Sequence, residues 1–441
     1  MALGLTLYKH QIETLRFILK YKRCFVFDEI GLGKTISALE AAELLFIHKK
    51  IENVLIIAPL SALRATWAQH ILKYYPHRSF AILHGPKSKR ISLLNSEKRF
   101  YIINPDGLKV ITDELLDKNF DMIIIDESTV FASHKTDRTK VAWKLCKSPK
   151  SVVCMTGEPT PNDLIQSYSQ AKLVHFDNPK YFSRFRDSIK TKFDEYTYLD
   201  KPEAISIVHK ILQPAIRHEQ KDCLDLPPLT SSFIDVPLTK QQEKMYNSME
   251  KDYITWLQTG ESVTATNAAV KVTKLMQISA GLLINEEGIA TSIDNDYRIK
   301  ELQNIYNQLT RKKLIVFANF TESVNFLLRY FGDKARKVDG SVNMKTRTKI
   351  FNDFQEGDLE IIVGQPRALS HSINLQLSNT IVWWSPVFSN ETFNQCNGRI
   401  RRAGQLRPQF IYKLRSTKIE AYIYKMLDRK QQVSKSLLKF M

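Results

Sequence analysis

Asp28-Glu29-Ile30-Gly31-Leu32-Gly33-Lys34-Thr35 follows the apolar run Cys24-Phe25-Val26-Phe27 and precedes Ile36-Ser37-Ala38-Leu39-Glu40-Ala41-Ala42, a stretch with helical character. A strand, a glycine-bearing turn and a helix start are the parts of a phosphate cradle. Small residues let backbone N–H groups close around phosphate oxygens, and the helix N-terminus adds positive potential. In such a cradle Lys34 reaches the outer phosphates and the Thr35 hydroxyl ligates magnesium. The stretch departs from the general G-x-x-x-x-G-K-[ST] form, because Asp28 stands where the first glycine is expected. Gly-Lys-Thr at a helix start also occurs by chance, so a second site has to decide.

Met122-Ile123-Ile124-Ile125-Asp126-Glu127 supplies it: four apolar residues ending in two acids predict a buried parallel strand that delivers carboxylates at its C-terminal edge. In an open α/β sheet that edge faces the phosphate loop. Asp126 is then the magnesium ligand, directly or through water, and Glu127 orients and deprotonates the attacking water. With the lysine loop upstream, the pair predicts hydrolysis of a nucleoside triphosphate, ATP, with magnesium as the metal.

The chain has 441 residues, 43% of them hydrophobic, which predicts two to three globular domains. Its formal charge of +18, from 64 Lys+Arg against 46 Asp+Glu, suggests a polyanionic partner, nucleic acid before anionic membrane. No apolar run approaches the length of a membrane span. Five scattered cysteines without C-x-x-C spacing argue for reduced thiols in a cytoplasmic protein and against a zinc site. Met1-Ala2-Leu3-Gly4-Leu5 lacks the layout of a signal peptide.

Strands are predicted at Asn53–Pro59, Phe80–Leu83, Phe100–Ile103 and Ser151–Met155, with helices between them, so residues 1–165 read as a doubly wound parallel-sheet lobe. Thr156-Gly157-Glu158-Pro159-Thr160-Pro161-Asn162 is too rich in Gly and Pro for helix. Residues 166–293 read as mainly helical, with a strand-like alternation at Ser231–Leu238. A second α/β pattern fills 294–441, with strands at Lys313–Phe317, Glu360–Gly364 and Thr380–Trp384. It carries no lysine loop. From Asn397 to Arg415 it has six basic residues and no acidic one. Arg399 and Arg402 share a face if that stretch is helical, and they suit an arginine-finger role, with a DNA-facing or solvated basic helix as the alternative.

The ordered set of motifs resembles helicase superfamily two and, within it, the SNF2-like (Swi2/Snf2) ATPases. Asp28 to Thr35 is similar to the D-E-x-G-L-G-K-T motif, which accounts for the missing glycine. Tyr8-Lys9-His10-Gln11 resembles the adenine-reading glutamine motif, and Ala58 through Trp67 motif Ia. Asp126-Glu127-Ser128-Thr129 resembles D-E-x-H, Thr156-Gly157-Glu158-Pro159 with Asn162 resembles motif III, and Gln395 through Gln405 resembles Q-x-x-G-R-x-x-R-x-G-Q. Between the lobes, Arg217 and Lys221 ahead of Leu226-Pro227 are similar to a segment found in this branch alone. Three positions depart from the pattern. Thr129 replaces a histidine, Ser372 a glycine, and His218 stands where a second arginine is common.

The resemblance implies two RecA-like parallel-sheet lobes with a mainly helical SNF2-type insertion. It implies Lys34, Asp126, Glu127, Arg399 and Arg402 as catalytic residues, and Gln11, Gly31, Gly33, Lys34, Thr35 and Gln395 at the nucleotide. It also implies double-stranded DNA as the track, with translocation rather than strand separation. Chain size narrows the likeness to compact phage or bacterial SNF2-like proteins, including phage branch-migration helicases, which makes forked and four-way DNA the expected substrate. Two other readings stay open: an ATP-dependent factor acting on a protein–nucleic-acid complex such as RNA polymerase, and a DNA-binding scaffold with a vestigial ATP site.

Overall fold

Most of the apolar runs become strands buried on both faces, with Phe80–Ile82 only partly covered. A computed structural model describes residues 4–193, 198–258, 265–285, 287–369, 375–402 and 404–438. Its first unit, Met1–Asp225 with Lys430–Met441, opens on helix α1 (Lys9–Tyr21), strand β1 (Arg23–Val26) and helix α2 (Lys34–Ile47). Then come β2 (Val54–Ile57), β3 (Phe80–Ile82), β4 (Phe100–Ile103), β5 (Met122–Asp126) and β6 (Ser151–Met155). After an antiparallel hairpin of β7 (Lys190–Lys192) and β8 (Tyr198–Asp200), β9 (Ala215–Ile216) closes the sheet. The order is β3-β4-β2-β5-β6-β1-β9, with every pair parallel.

Successive residues of these strands feed opposite cores. Phe25, Leu55, Ile57, Ile123, Ile125 and Cys154 pack on one face, and Cys24, Val26, Ile56, Ile124, Val153 and Met155 on the other. A strand buried on both sides needs no polar alternation, which is why the sequence shows continuous apolar runs. Leu437 and Leu438 near the chain's end are buried in the first of these cores.

The second unit, Leu226–Arg429, begins with β10 (Leu229–Asp235). A small hairpin of β11 (Leu282–Ile284) and β12 (Ala290–Ser292) follows. The main sheet adds β13 (Leu314–Phe317), β14 (Ala335–Val338), β15 (Ile361–Gly364), β16 (Thr380–Trp383) and β17 (Gln409–Arg415), in the order β10-β17-β16-β13-β15-β14, all parallel. The chain is therefore two parallel-sheet α/β units, as its motif order implies. Residues 166–293, which read as one helical segment, are shared between the units, and β9 and β10 join one sheet each. All five cysteines are unpaired, and four of them are buried.

Part of the basic run is not surface. Gln409–Arg415 is the interior strand β17, where Lys413 is buried with its ammonium 3.9 Å from the centre of the Phe233 ring. Burial lowers the Lys413 pKa from its ordinary value. The second core also encloses an ion pair: Arg298 donates to Glu420 through both terminal nitrogens, at 2.9 and 2.7 Å, and the two side chains are only 2% and 0% exposed. Arg298 reaches the Trp384 carbonyl and the Ser416 hydroxyl as well. Arg298→Met is expected to destabilise this unit by about 3–5 kcal/mol in chemical denaturation, because it strands a buried carboxylate. The double variant with Glu420→Met should recover most of that loss, since no unpaired charge remains.

Candidate active site

Residues 31–33 turn sharply between β1 and α2. Gly31 and Gly33 both have positive φ, 88° and 81°, a region that costs a residue with a Cβ. Gly33 has a second constraint, because a Cβ there would lie 2.2 Å from Gln11 Nε2. The Gln11 amide is committed to the protein: it accepts from the Tyr8 N–H at 3.1 Å and donates to the Leu32 carbonyl at 3.1 Å. His10 contacts the same carbonyl at 2.9 Å. Gln11 thus shapes the loop from α1, while one N–H and one lone pair of its amide stay available for an adenine edge. Lys34 folds back into the turn and donates to the Asp28 and Glu29 carbonyls at 2.6 and 3.3 Å. Thr35 lies in the first turn of α2.

β6 lies between β1 and β5, so the carboxylates emerge two strands from the loop, at the same sheet edge. Trp67, in a π-helical turn over Leu63–Ala68, donates its indole N–H to Asp126 Oδ2 at 2.9 Å. Burial, and after it the neighbouring Glu127 charge, push Asp126 up to about 6, while the Trp67 hydrogen bond and, less strongly, the charge of Lys34 act against them. Glu127 has φ 51° and ψ 61°, a left-handed conformation uncommon for a residue with a side chain. Such strain concentrates at working sites. The Thr156 hydroxyl donates to Glu127 Oε2 at 3.4 Å, so the loop after β6 touches the acid. Ser128 donates to Gln170 Oε1 at 2.9 Å, and Gln170 bonds the Pro159 carbonyl, which ties that loop to the strand end carrying both acids.

A carboxylate and a hydroxyl are hard oxygen donors that suit magnesium, which takes one or two protein ligands and fills the rest of its shell with water and substrate phosphate. Among the described residues no group of three or more His, Cys, Asp or Glu is placed to hold a metal ion.

Asp28 and Glu29 have uses that sequence reasoning missed. Asp28 is 1% exposed and accepts from Thr14 Oγ1 at 2.8 Å and from His218 Nδ1 at 2.7 Å. Glu29 accepts from Arg217 Nη2 at 3.2 Å and from the Gln220 N–H at 2.8 Å. Arg217 also donates to the Phe27 and Gly157 carbonyls, at 3.1 and 3.4 Å. The segment beyond β9 is thereby fastened to both loops of the site. The signal was present in the acidic residue at the position of the missing glycine.

Residues 10–317 match the SNF2-related domain. The chain belongs to the SNF2-related family. It is an enzyme of the helicase ATPase type, and residues 297–404 match the helicase conserved C-terminal domain. Protein p41 of Acyrthosiphon pisum secondary endosymbiont phage 1 is 28% identical, over 92% of this chain and 91% of its own length. The human DNA annealing helicase and endonuclease ZRANB3 is 24% identical over 97% of this chain, which spans only 40% of that protein. Among solved structures, the Sulfolobus solfataricus SWI2/SNF2 ATPase core in complex with dsDNA aligns at 21% identity and a TM-score of 0.47, covering 98% of this chain and 93% of that one.

The SNF2 motif residues of the second unit are arranged differently from the helical expectation. The helix Asn390–Asn397 ends before either arginine, so Arg399 and Arg402 lie in the turn beyond it and do not share a helix face. Gly398 caps the helix, still right-handed and with its N–H on the Asn394 carbonyl, and the chain continues as a turn through Arg399. Gln395 is buried, and its carbonyl accepts from Arg399 Nε at 3.0 Å. Gln405 pins the turn by donating to the Gln376, Ser378 and Ile400 carbonyls at 2.8, 3.1 and 3.1 Å. Arg402 is half-buried, its Nε lacks an acceptor, and no acidic side chain pairs with it among the described residues. Loss of water, and secondarily the charge of Arg399, push its guanidinium down to about 9. It remains a cation at neutral pH. Ser372 lies outside the described residues, whereas Thr129 is buried two residues after Glu127.

Proposed function

We propose that this protein hydrolyses ATP to move along duplex DNA, and that its substrates are forked and four-way DNA, which it remodels or branch-migrates in replication, recombination or repair. The observation that supports the hydrolytic part is the placement of the Lys34 loop after β1, the Asp126-Glu127 end of β5 and the loop after β6 at one edge of a parallel sheet, with Thr156 touching Glu127 and the Lys34 charge acting on Asp126. Lys34 leaves the Asp28 and Glu29 carbonyls for the outer phosphates. Glu127, held by Thr156, orients and deprotonates the attacking water. Arg399 and Arg402 supply charge to the transferring phosphoryl group. Thr35 and Asp126 would hold a magnesium ion, which neutralises phosphate charge when bound. Among the described residues no helix is long and apolar enough to cross a membrane. With a phage protein among the relatives, we place the activity in the cytoplasm of a bacterium or an infected host.

A charge of +18 supports a polyanionic track gripped mainly through phosphates, with little reading of bases. A branched junction offers two duplex arms where linear DNA offers one. Four-way or forked DNA is therefore expected to stimulate ATPase activity beyond linear duplex at equal nucleotide concentration, with a steeper loss of binding as salt rises. The test is an ATPase panel of duplex, single strand, four-way junction and RNA, together with ATP-driven resolution of a mobile synthetic junction into two duplexes. Robust duplex-stimulated hydrolysis with an immobile junction would leave a plain duplex translocase.

A further inference from the structure

His218 occupies the position where its family commonly has a second arginine, and its surroundings give the substitution a consequence. Its Nδ1 is 2.7 Å from Asp28 Oδ1 and its Nε2 is 3.0 Å from Glu13 Oε2. Ionised carboxylate oxygens only accept hydrogen bonds, and a neutral imidazole carries a single N–H. Both contacts therefore require the ring protonated on both nitrogens. The His218 side chain is 14% exposed and that of Asp28 1%, so water cannot readily replace a lost bond. The hydrogen bond to Asp28 is the largest influence on His218 and, with smaller help from Glu13, raises its pKa above the ordinary 6.5 although burial opposes this.

We propose that His218 is a positioning residue for the phosphate loop: as an imidazolium bridging Asp28 and Glu13 it holds the loop in its ATP-binding form, so that ATP affinity falls as pH rises. The inference rests on reading this loop as the ATP site. Asp28 begins the loop, its carbonyl holds Lys34, and the Glu29 N–H donates to the His218 carbonyl at 3.0 Å. When the ring loses its proton, the Glu13 contact sets a lone pair against a carboxylate, and the buried Asp28 charge at the mouth of the cradle is no longer offset. That charge repels a triphosphate.

The other groups around the ring are few. From α1 come Glu13, the Thr14 hydroxyl at 3.4 Å and the His10 ring with its centre 5.8 Å away. From the loop come Asp28 and, through its backbone N–H to the His218 carbonyl, Glu29; on the segment itself Arg217 and Glu219 flank the histidine, and the Cys223 thiol is pushed upward by burial first and then by Asp28, Asp222, Glu13 and Glu29. A histidine with a raised folded pKa contributes fully below its unfolded value of 6.5, and the contribution is lost as pH rises through the higher folded value.

The test measures the ATP dissociation constant of the full chain between about pH 6 and pH 9, a range in which histidine titrates. Each value is divided by that of His218→Arg, so that titration of the nucleotide cancels. For the wild type the ratio is expected to rise about tenfold across the transition, the scale of one charge-assisted hydrogen bond. His218→Gln should bind weakly at every pH, His218→Arg should bind tightly without the transition, and Glu13→Gln should move the transition to lower pH. If His218→Gln fails to fold, the arginine and Glu13 variants carry the test. A wild-type transition retained in His218→Arg, or one abolished by His10→Gln instead, would overturn the proposal. ATP binding absent from the wild type at all pH values would overturn the ATP-site reading itself.

Discussion

Arg402→Ala is expected to slow ATP turnover by about a thousandfold or more while nucleotide affinity stays nearly intact, the scale of an arginine finger. A guanidinium that is half-buried, lacks an acidic partner and feels the charge of Arg399 is in an environment that disfavours its own charge. An arriving anion relieves that cost, and the relief is largest where negative charge builds up, on the phosphoryl group in transit. Truncating the side chain removes stabilisation of that state and little from the bound ground state, so the loss falls on kcat. Single-turnover phosphate release with saturating duplex DNA, alongside nucleotide binding, separates the two quantities. Normal DNA-stimulated turnover in the variant would move Arg402 from the nucleotide to the DNA track.

Lys34→Ala and Glu127→Gln are expected to abolish hydrolysis by different routes. Lys34 is the cation of the phosphate cradle, and its removal should cost nucleotide affinity as well as turnover. Glu127→Gln keeps the size of the side chain and the contact from Thr156, so ATP should still bind. Turnover should fall by at least about a hundredfold, the lower end of what a positioned base contributes, because an amide cannot take the proton of the attacking water. Binding of a fluorescent ATP analogue and phosphate release, measured on both variants, check the split of roles. Equal loss of nucleotide affinity in the two would sink it.

What the sequence determined without help was the part encoded in short stretches. Strands buried on both faces are continuous apolar runs, and β1, β2, β4, β5, β6, β13, β15 and β16 were legible for that reason. The phosphate loop and the Asp126-Glu127 pair were legible because their chemistry needs fixed residue types at fixed spacing. The polar β10 showed as alternation at Ser231–Leu238, but two strands with basic residues were not legible: β14 is Ala-Arg-Lys-Val at a sheet edge, and β17 looked like part of a basic surface run until its neighbours β10 and β16 enclosed it. Only the tertiary structure decided why Asp28 and Glu29 are acidic, since their partners Thr14, Arg217, His218 and Gln220 arrive from α1 and from nearly two hundred residues downstream. It also decided that Arg399 and Arg402 leave the helix before they can share its face, and that Lys413 lies over an aromatic ring rather than in solvent. The physical reason is the same in each case. A side chain's charge, strain and hydrogen bonds are set by neighbours that folding brings together, and spacing along the chain carries no record of them.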